Sequence, residues 1–203
     1  MAGLLALGSG LWVAGISPAA HGEPAHRSES SPPSPPAVTA VPEAGPWWQP
    51  LPIAHTSFVP VRLVIEKLRI GAPIEVRGTD AHNVMEAPDR PSDVAWYRFT
   101  ARPGSGSNAV FAGHRDFAKV GPAVFWKLGD LATGDLIDVV SPQQTEIRYR
   151  VSQVRSYPVG AMPMNDVLAA DVGDEVTLIT CAGRYTPDTG YDHRLVVRAR
   201  RMA

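Results

Sequence analysis

Short apolar runs, separated by Gly, Pro and Asp, make up most of the chain from residue 58 onward. Several of these runs alternate between apolar and polar positions, which is the period of a β-strand, and few apolar residues repeat at helical spacing. About eight short strands without a long helix favour an all-β fold, with a closed or nearly closed barrel as its architecture. The predicted strands cover residues 61–70, 74–76, 94–99, 108–114, 135–140, 145–154, 175–181 and 194–200.

The segments between these runs predict turns and one or two short helices. Ser141–Gln144 separates two strand patterns and predicts the turn of a hairpin. Short helical turns are predicted near Phe125–Leu128 and Met164–Ala169. The residues after Cys181 are expected to leave their strand, so residues 182–193 are predicted to form a loop.

The N-terminal part of the chain has a different composition. Residues 1–20 contain no charged residue and are near the minimum length of a membrane-spanning helix, which predicts a transmembrane anchor or a signal segment. A buried N-terminal helix is the alternative. Residues 21–57 are rich in proline and show no hydrophobic period, which predicts an extended linker. The predicted organisation is therefore an anchor or signal, a stalk and a folded domain over residues 58–203.

Composition excludes several function classes. The net charge of −1 provides no basic field for a nucleic-acid backbone, so no nucleic-acid partner is predicted. A single cysteine excludes an internal disulfide framework and a Cys-rich zinc site. The carboxylates Asp89, Asp93 and Asp116 do not form a convincing cation-binding pattern, so neither a metal nor another cofactor is predicted.

Cys181 and His114 are the first candidates for chemistry. Each lies where an apolar strand pattern gives way to polar residues, so each is held by a sheet while facing a groove. A thiol requires a partner to become a good nucleophile and to protonate a leaving group, and histidine is the usual partner. The alternative for Cys181 is a small, inert, buried residue.

Arg194 is the third candidate because it opens the last predicted strand, thirteen residues after Cys181. If the strands 175–181 and 194–200 are neighbours, the connection between them brings the guanidinium beside the thiol. A guanidinium at that point stabilises an oxyanion during acyl transfer. Strand alternation points the adjacent His193 to the opposite face, which favours His114 as the catalytic histidine.

These residues resemble the sortases, the cysteine transpeptidases of the bacterial cell surface. The resemblance rests on Ala112-Gly113-His114-Arg115, on Thr177-Leu178-Ile179-Thr180-Cys181 and on Arg194-Leu195-Val196-Val197, in that order along the chain. It covers about residues 60–202, and the anchor and proline-rich stalk also suit this family. Residue usage resembles the actinobacterial class E or class F, with class F favoured.

The resemblance implies an eight-stranded β-barrel and a reaction. Cys181 would attack the threonine carbonyl of an LPxTG-like sorting signal on a secreted protein, forming a thioacyl enzyme. His114 would protonate the departing glycine amine, and Arg194 would hold the oxyanion. Thr180 would contact the substrate or order the groove. The acyl group would pass to an amine acceptor on the peptidoglycan precursor, at the outer face of a cell membrane that the N-terminal segment crosses once.

Two other functions stay open, and two other enzyme families do not fit. A non-catalytic exported β-barrel would bind a wall polymer or a partner protein, and a sortase-fold enzyme could act mainly as a hydrolase. The cell-wall L,D-transpeptidases carry a Ser-His-Gly-x-Cys run, which is absent here because His114 lies 67 residues before Cys181. A second family of exported cysteine peptidases places the cysteine before the histidine, which is the reverse order.

Overall fold

A computed structural model describes residues 56–203. The predicted anchor over residues 1–20 lies outside the described residues, as does the linker over residues 21–57 apart from its last two positions. These two assignments therefore stay predictions. Within residues 56–203, no helix has both the length and the apolar character that a membrane crossing needs.

Strands dominate this part of the chain, and the helical segments are three or four residues long. The one α-helix of residues 56–203, α1, covers Met164–Val167, and 3-10 turns cover Glu66–Leu68 and Leu128–Asp130. The strands are β1 Arg62–Ile65, β2 Ile70–Arg77, β3 Val94–Tyr97, β4 Asn108–Gly113, β5 Asp116–Phe117, β6 Gly121–Pro122, β7 Leu136–Val140, β8 Glu146–Pro158, β9 Glu175–Thr186 and β10 Gly190–Arg201.

Eight of these strands form a closed barrel in the order β1-β2-β3-β4-β9-β10-β8-β7. The pairs β2–β3 and β4–β9 are parallel, and the remaining neighbours are antiparallel. The strands β5 and β6 form a separate two-stranded ribbon. The predicted all-β barrel of eight strands is confirmed.

Two hydrophobic clusters lie on opposite faces of the barrel wall. The interior cluster includes Phe111 and Leu178, both fully buried. The second cluster includes Val110 and Ile179, their immediate chain neighbours, together with Val167 of α1. Because side chains alternate along a strand, this second cluster covers the outer face of β4 and β9. The same outer face continues to the candidate residues.

The structure corrects three local predictions. The run 61–70 is not one strand, because the chain turns at Arg69, whose φ is +56°, and returns as β2. Residues 182–193 are mostly strand, since β9 and β10 continue as a hairpin beyond the barrel. The helical turn predicted at Phe125–Leu128 is a turn followed by the 3-10 segment Leu128–Asp130. The other predicted helix is confirmed as α1, with a length of four residues.

Candidate active site

The three candidate residues lie on or directly after three adjacent strands: His114 follows β4, and Cys181 and Arg194 lie within β9 and β10. Cys181 on β9 is the cross-strand partner of Arg194 on β10. The strand β4, which ends directly before His114, runs parallel to β9 on its other side, and Ala112 pairs with Ile179. Strand alternation therefore places His114, Cys181 and Arg194 on the outer face that also carries Ala112 and Ile179. The predicted neighbourhood of Cys181 and Arg194 is confirmed.

A groove of about 440 Å³ runs over this face, and His114, Cys181 and Arg194 all line it. Its floor is formed by the outer faces of the strands. Its walls come from the loop between β2 and β3 and from the segment before and within α1. These walls supply apolar side chains, namely Val84, Met85, Met162 and Met164.

Cys181 is partly exposed and is a free thiol. Within residues 56–203, its sulfur makes no hydrogen bond, so no protein group competes for it. Cys181 is therefore not a fully buried core residue. The thiol is reachable from the groove and is fixed by the strand that carries it.

The imidazole of His114 is held by two contacts. Its Nε2 lies 2.8 Å from the carbonyl oxygen of Pro88, in the β2–β3 loop. A carbonyl oxygen only accepts, so Nε2 carries a proton and donates it in this hydrogen bond. The ring of Phe117 packs edge-on against the imidazole at a centroid distance of 5.1 Å. Nδ1 is therefore the ring nitrogen left for proton exchange.

The guanidinium of Arg194 is tethered to the backbone of its own hairpin. Its Nη1 donates to the carbonyl oxygens of His193 at 3.0 Å and Tyr191 at 3.3 Å. Within residues 56–203, its other N–H groups make no hydrogen bond, and they are the donors that remain for a ligand in the groove. A guanidinium anchored in this way presents fixed donors beside Cys181, as an oxyanion site requires.

Thr180 connects the strand of Cys181 to the strand of His114. Its side chain is buried, with 4% of its surface exposed, and its hydroxyl donates to the carbonyl oxygen of Gly113 at 2.8 Å. Gly113 and Thr180 each immediately precede a candidate residue along the chain. This hydroxyl therefore ties the two chain segments together directly before His114 and Cys181, and the role predicted for Thr180 in the groove stays a prediction.

His193 lies outside the groove, as strand alternation predicts. Its Nδ1 is 2.7 Å from a carboxylate oxygen of Asp192, and it is not among the residues that line the groove. The hydrogen bond from His193 holds the pKa of Asp192 below its ordinary value. Asp192 also accepts a hydrogen bond from the backbone N–H of Arg184 at 2.8 Å, so this pair belongs to the outer hairpin and not to the groove.

The family model of the sortase domain matches residues 63–202, which is more than half of the chain. The chain belongs to the sortase family. This sortase domain forms the eight-stranded barrel and the outer groove described above. Its assignment to class E or class F stays a prediction.

Solved sortase structures are similar to this sortase domain. A lid mutant of sortase A from Corynebacterium diphtheriae is 25% identical, with a TM-score of 0.56, and the match covers 75% of this chain and 74% of that one. Sortase C-1 from Actinomyces oris is 27% identical, with a TM-score of 0.54, and covers 71% and 76%. A sortase D5 transpeptidase from Clostridium perfringens is 22% identical, with a TM-score of 0.53 over 70% and 78%, and shows the shared fold alone. No curated protein matches the chain.

Several residues around the site of this sortase were not predicted from its sequence. The carbonyl of Pro88 and the side chain of Met162 come from loops without periodicity, so no pattern indicated them, and Met164 was predicted only as a residue of a short helix. Tyr97 was predicted as a strand residue, and it also lines the groove. Within residues 56–203, no group of three His, Cys, Asp or Glu side chains is close enough to hold a metal ion.

Proposed function

We propose that this chain is a cysteine transpeptidase that cleaves an LPxTG-like sorting signal between Thr and Gly and transfers the new carboxyl end to an amine of the peptidoglycan precursor. The observation that carries the proposal is the register that sets Arg194 directly across from Cys181, in a groove that His114 also lines. A nucleophile, a proton carrier and an oxyanion donor thus share one cavity.

In the first half-reaction, the thiolate of Cys181 attacks the threonine carbonyl carbon, and a carbon–sulfur bond forms. Arg194 stabilises the negative charge that develops on the carbonyl oxygen. The carbon–nitrogen bond then breaks, and protonated His114 gives its proton to the departing glycine amine. The product is a thioacyl enzyme with a neutral imidazole.

The apolar walls of the groove suit the uncharged residues of such a signal. Apart from His114, Cys181 and Arg194, the one ionisable side chain on its lining is Tyr97. The phenol of Tyr97 donates to the carbonyl oxygen of Glu86 at 3.0 Å, and the residue is buried, so it brings no charge to the groove. A Leu-Pro segment would bury apolar surface against Met85, Met162 and Met164.

The proposal includes the location of the enzyme. Residues 1–20 would anchor the chain in the cell membrane, and residues 21–57 would hold the catalytic domain on the outer side. Secreted proteins that carry the sorting signal would reach the groove there. The uncharged first segment and the proline-rich second segment support this arrangement.

The test is intact mass analysis of the chain after incubation with an LPxTG-type peptide. We expect a thioacyl adduct, with the mass of the peptide up to its threonine, and no adduct on Cys181→Ala. Addition of a glycine amine should convert the adduct to a new amide product. Hydrolysis with no amide product would favour the hydrolase alternative. Folded protein that forms no adduct over a panel of motifs would contradict catalysis and favour a binding module.

A further inference from the structure

A second recess, of about 610 Å³, also opens at the catalytic pair. The groove and this recess have two lining residues in common, and these are His114 and Cys181. The recess is lined by the chain directly after His114 and by the outer end of the β9–β10 hairpin. A thioacyl bond on Cys181 would therefore be accessible from both the groove and the recess. The groove would hold the acyl chain.

The two chambers differ in charge. The groove has apolar walls, whereas the recess is lined by Arg115, Asp116 and Lys119, together with the rings of Tyr185 and Tyr191. Side chains of both signs in one small space suit a ligand that itself carries both signs. An uncharged peptide segment gains nothing from them, so the recess fits the incoming amine better than the sorting signal.

Arg115 is a cation that contacts two aromatic rings. Its guanidinium carbon lies 5.1 Å from the ring centre of Trp126 and 5.4 Å from that of Tyr191. Its Nε is buried without a hydrogen-bond partner, and among residues 56–203 no carboxylate pairs with the group. The two Nη atoms are accessible, so they form an oriented edge that a ligand carboxylate can bind with two parallel hydrogen bonds.

Asp116 supplies the opposite charge beside it. One of its carboxylate oxygens accepts a hydrogen bond from the hydroxyl of Tyr191. Tyr191 in turn packs against Tyr185 at a ring-centre distance of 5.2 Å. The second carboxylate oxygen makes no hydrogen bond within the described part of the chain. A carboxylate oriented in this way binds an ammonium group, and the two tyrosine faces favour a cation as well.

We propose that this recess is the acceptor site and that it selects an amine with a free carboxylate close to it, Asp116 binding the amine end and Arg115 the carboxylate. The proposal rests on the proposed transpeptidation. The bound ammonium gives one proton to the neutral His114, and its nitrogen attacks the thioester carbonyl. A carbon–nitrogen bond forms, the carbon–sulfur bond breaks, Cys181 leaves as a thiolate, and the second N–H proton passes to solvent.

The test compares two small acceptors on the full chain, glycine and ethanolamine. Their amines are similar in size and basicity, but ethanolamine has a hydroxyl where glycine has a carboxylate. The thioacyl enzyme is formed first with the LPxTG-type peptide, and the KM of each acceptor is then measured from the amide product. We expect a KM for glycine about tenfold below that for ethanolamine.

Variants test the contributions of Arg115 and Asp116 separately. Arg115→Gln should bring the ratio of the two KM values close to one, and Arg115→Lys should restore part of it. Asp116→Asn should raise both KM values together and leave their ratio unchanged. Arg155→Gln is the matched control, because Arg155 also lies over a tyrosine ring, at 5.0 Å from Tyr157, but does not line the recess. It should leave the ratio as in the unmodified chain.

The outcomes distinguish this inference from the proposed function. Failure to form the thioacyl enzyme overturns both. An adduct that reacts equally well with glycine and ethanolamine overturns only the acceptor site, and this comparison needs no variant. A preference for glycine that persists in folded Arg115→Gln also overturns the assignment. Thermal melts of each variant show whether it is folded.

Discussion

The hydroxyl of Thr180 offers a sharp test of how the barrel positions His114 and Cys181, the proposed catalytic pair. Thr180→Val keeps the shape of the side chain and removes the hydrogen bond to the carbonyl of Gly113, which is 2.8 Å long and buried. Loss of the partner of a buried polar group costs about 1–3 kcal/mol. The free energy of unfolding of a typical domain is about 5–15 kcal/mol, so the variant should fold with a clearly lower urea midpoint.

The expected effect on catalysis is larger than on binding. The bond joins the residue before His114 to the residue before Cys181, so its loss allows these two side chains to separate. A displacement of about 1 Å at reacting groups can cost about a hundredfold in rate. We expect the rate of thioacyl formation in single turnover to fall roughly tenfold, with little change in peptide affinity. Thr180→Ser, which keeps the hydroxyl, should retain most of the rate.

Thr177 provides the matched control on the same strand. Its hydroxyl is also buried and donates to the side chain of Asn108 at 2.9 Å, but it does not line the groove. Thr177→Val should therefore lose a similar free energy of unfolding, measured by urea denaturation, and keep the acylation rate. If both valine variants lose the same rate, the bond of Thr180 is only structural and the positioning argument is wrong. An unchanged urea midpoint for Thr180→Val would contradict the energetic argument.

Three further predictions concern the hairpin and the groove. Arg194→Gln should lower the single-turnover rate of thioacyl formation about 10²–10³-fold, because it removes an oxyanion donor, and a change below twofold would contradict that role. Gly183→Ala should lower the free energy of unfolding in urea by about 1–3 kcal/mol, because φ is +81° there and a methyl group would overlap Asp192; unaltered stability would contradict it. Burial raises the pKa of Tyr97 to about 12, so its stabilising contribution is complete below pH 10 and decreases as the pH rises towards 12. Relative to pH 9, the unmodified chain should therefore lose about 1.4 kcal/mol more stability at pH 11 than Tyr97→Phe, and equal losses in urea titrations would refute this.

The strand pattern predicted the barrel well where a strand has a buried face. The run 108–114 contains β4, and the runs 175–181 and 194–200 lie within β9 and β10. Their apolar residues are buried in the interior of the barrel. The outer faces of β4 and β9 are also covered, by the second hydrophobic cluster. Burial against a core is the property that a hydrophobic pattern reports, so these elements could be predicted.

The same reasoning failed where no core contact exists. The outer half of the β9–β10 hairpin is a two-stranded ribbon beyond the barrel, with exposed polar residues such as Arg184. A ribbon without a buried face leaves no alternating pattern, so residues 182–193 were predicted as a loop. The turn at Arg69 was missed for a related reason. A non-glycine residue with positive φ has no strong sequence signal, and the apolar residues on both sides continue the strand pattern.

By itself, the sequence determined most strands of the barrel and the three candidate residues, because local alternation and the order of His114, Cys181 and Arg194 can be read directly along the chain. The tertiary structure alone decided which groups orient them, among them the Pro88 carbonyl on His114 and the Thr180 hydroxyl on Gly113. It also decided that His114 and Cys181 lie between an apolar groove and a charged recess. Such contacts join segments that are 26 to 67 residues apart. They depend on how the barrel closes, which no local period encodes.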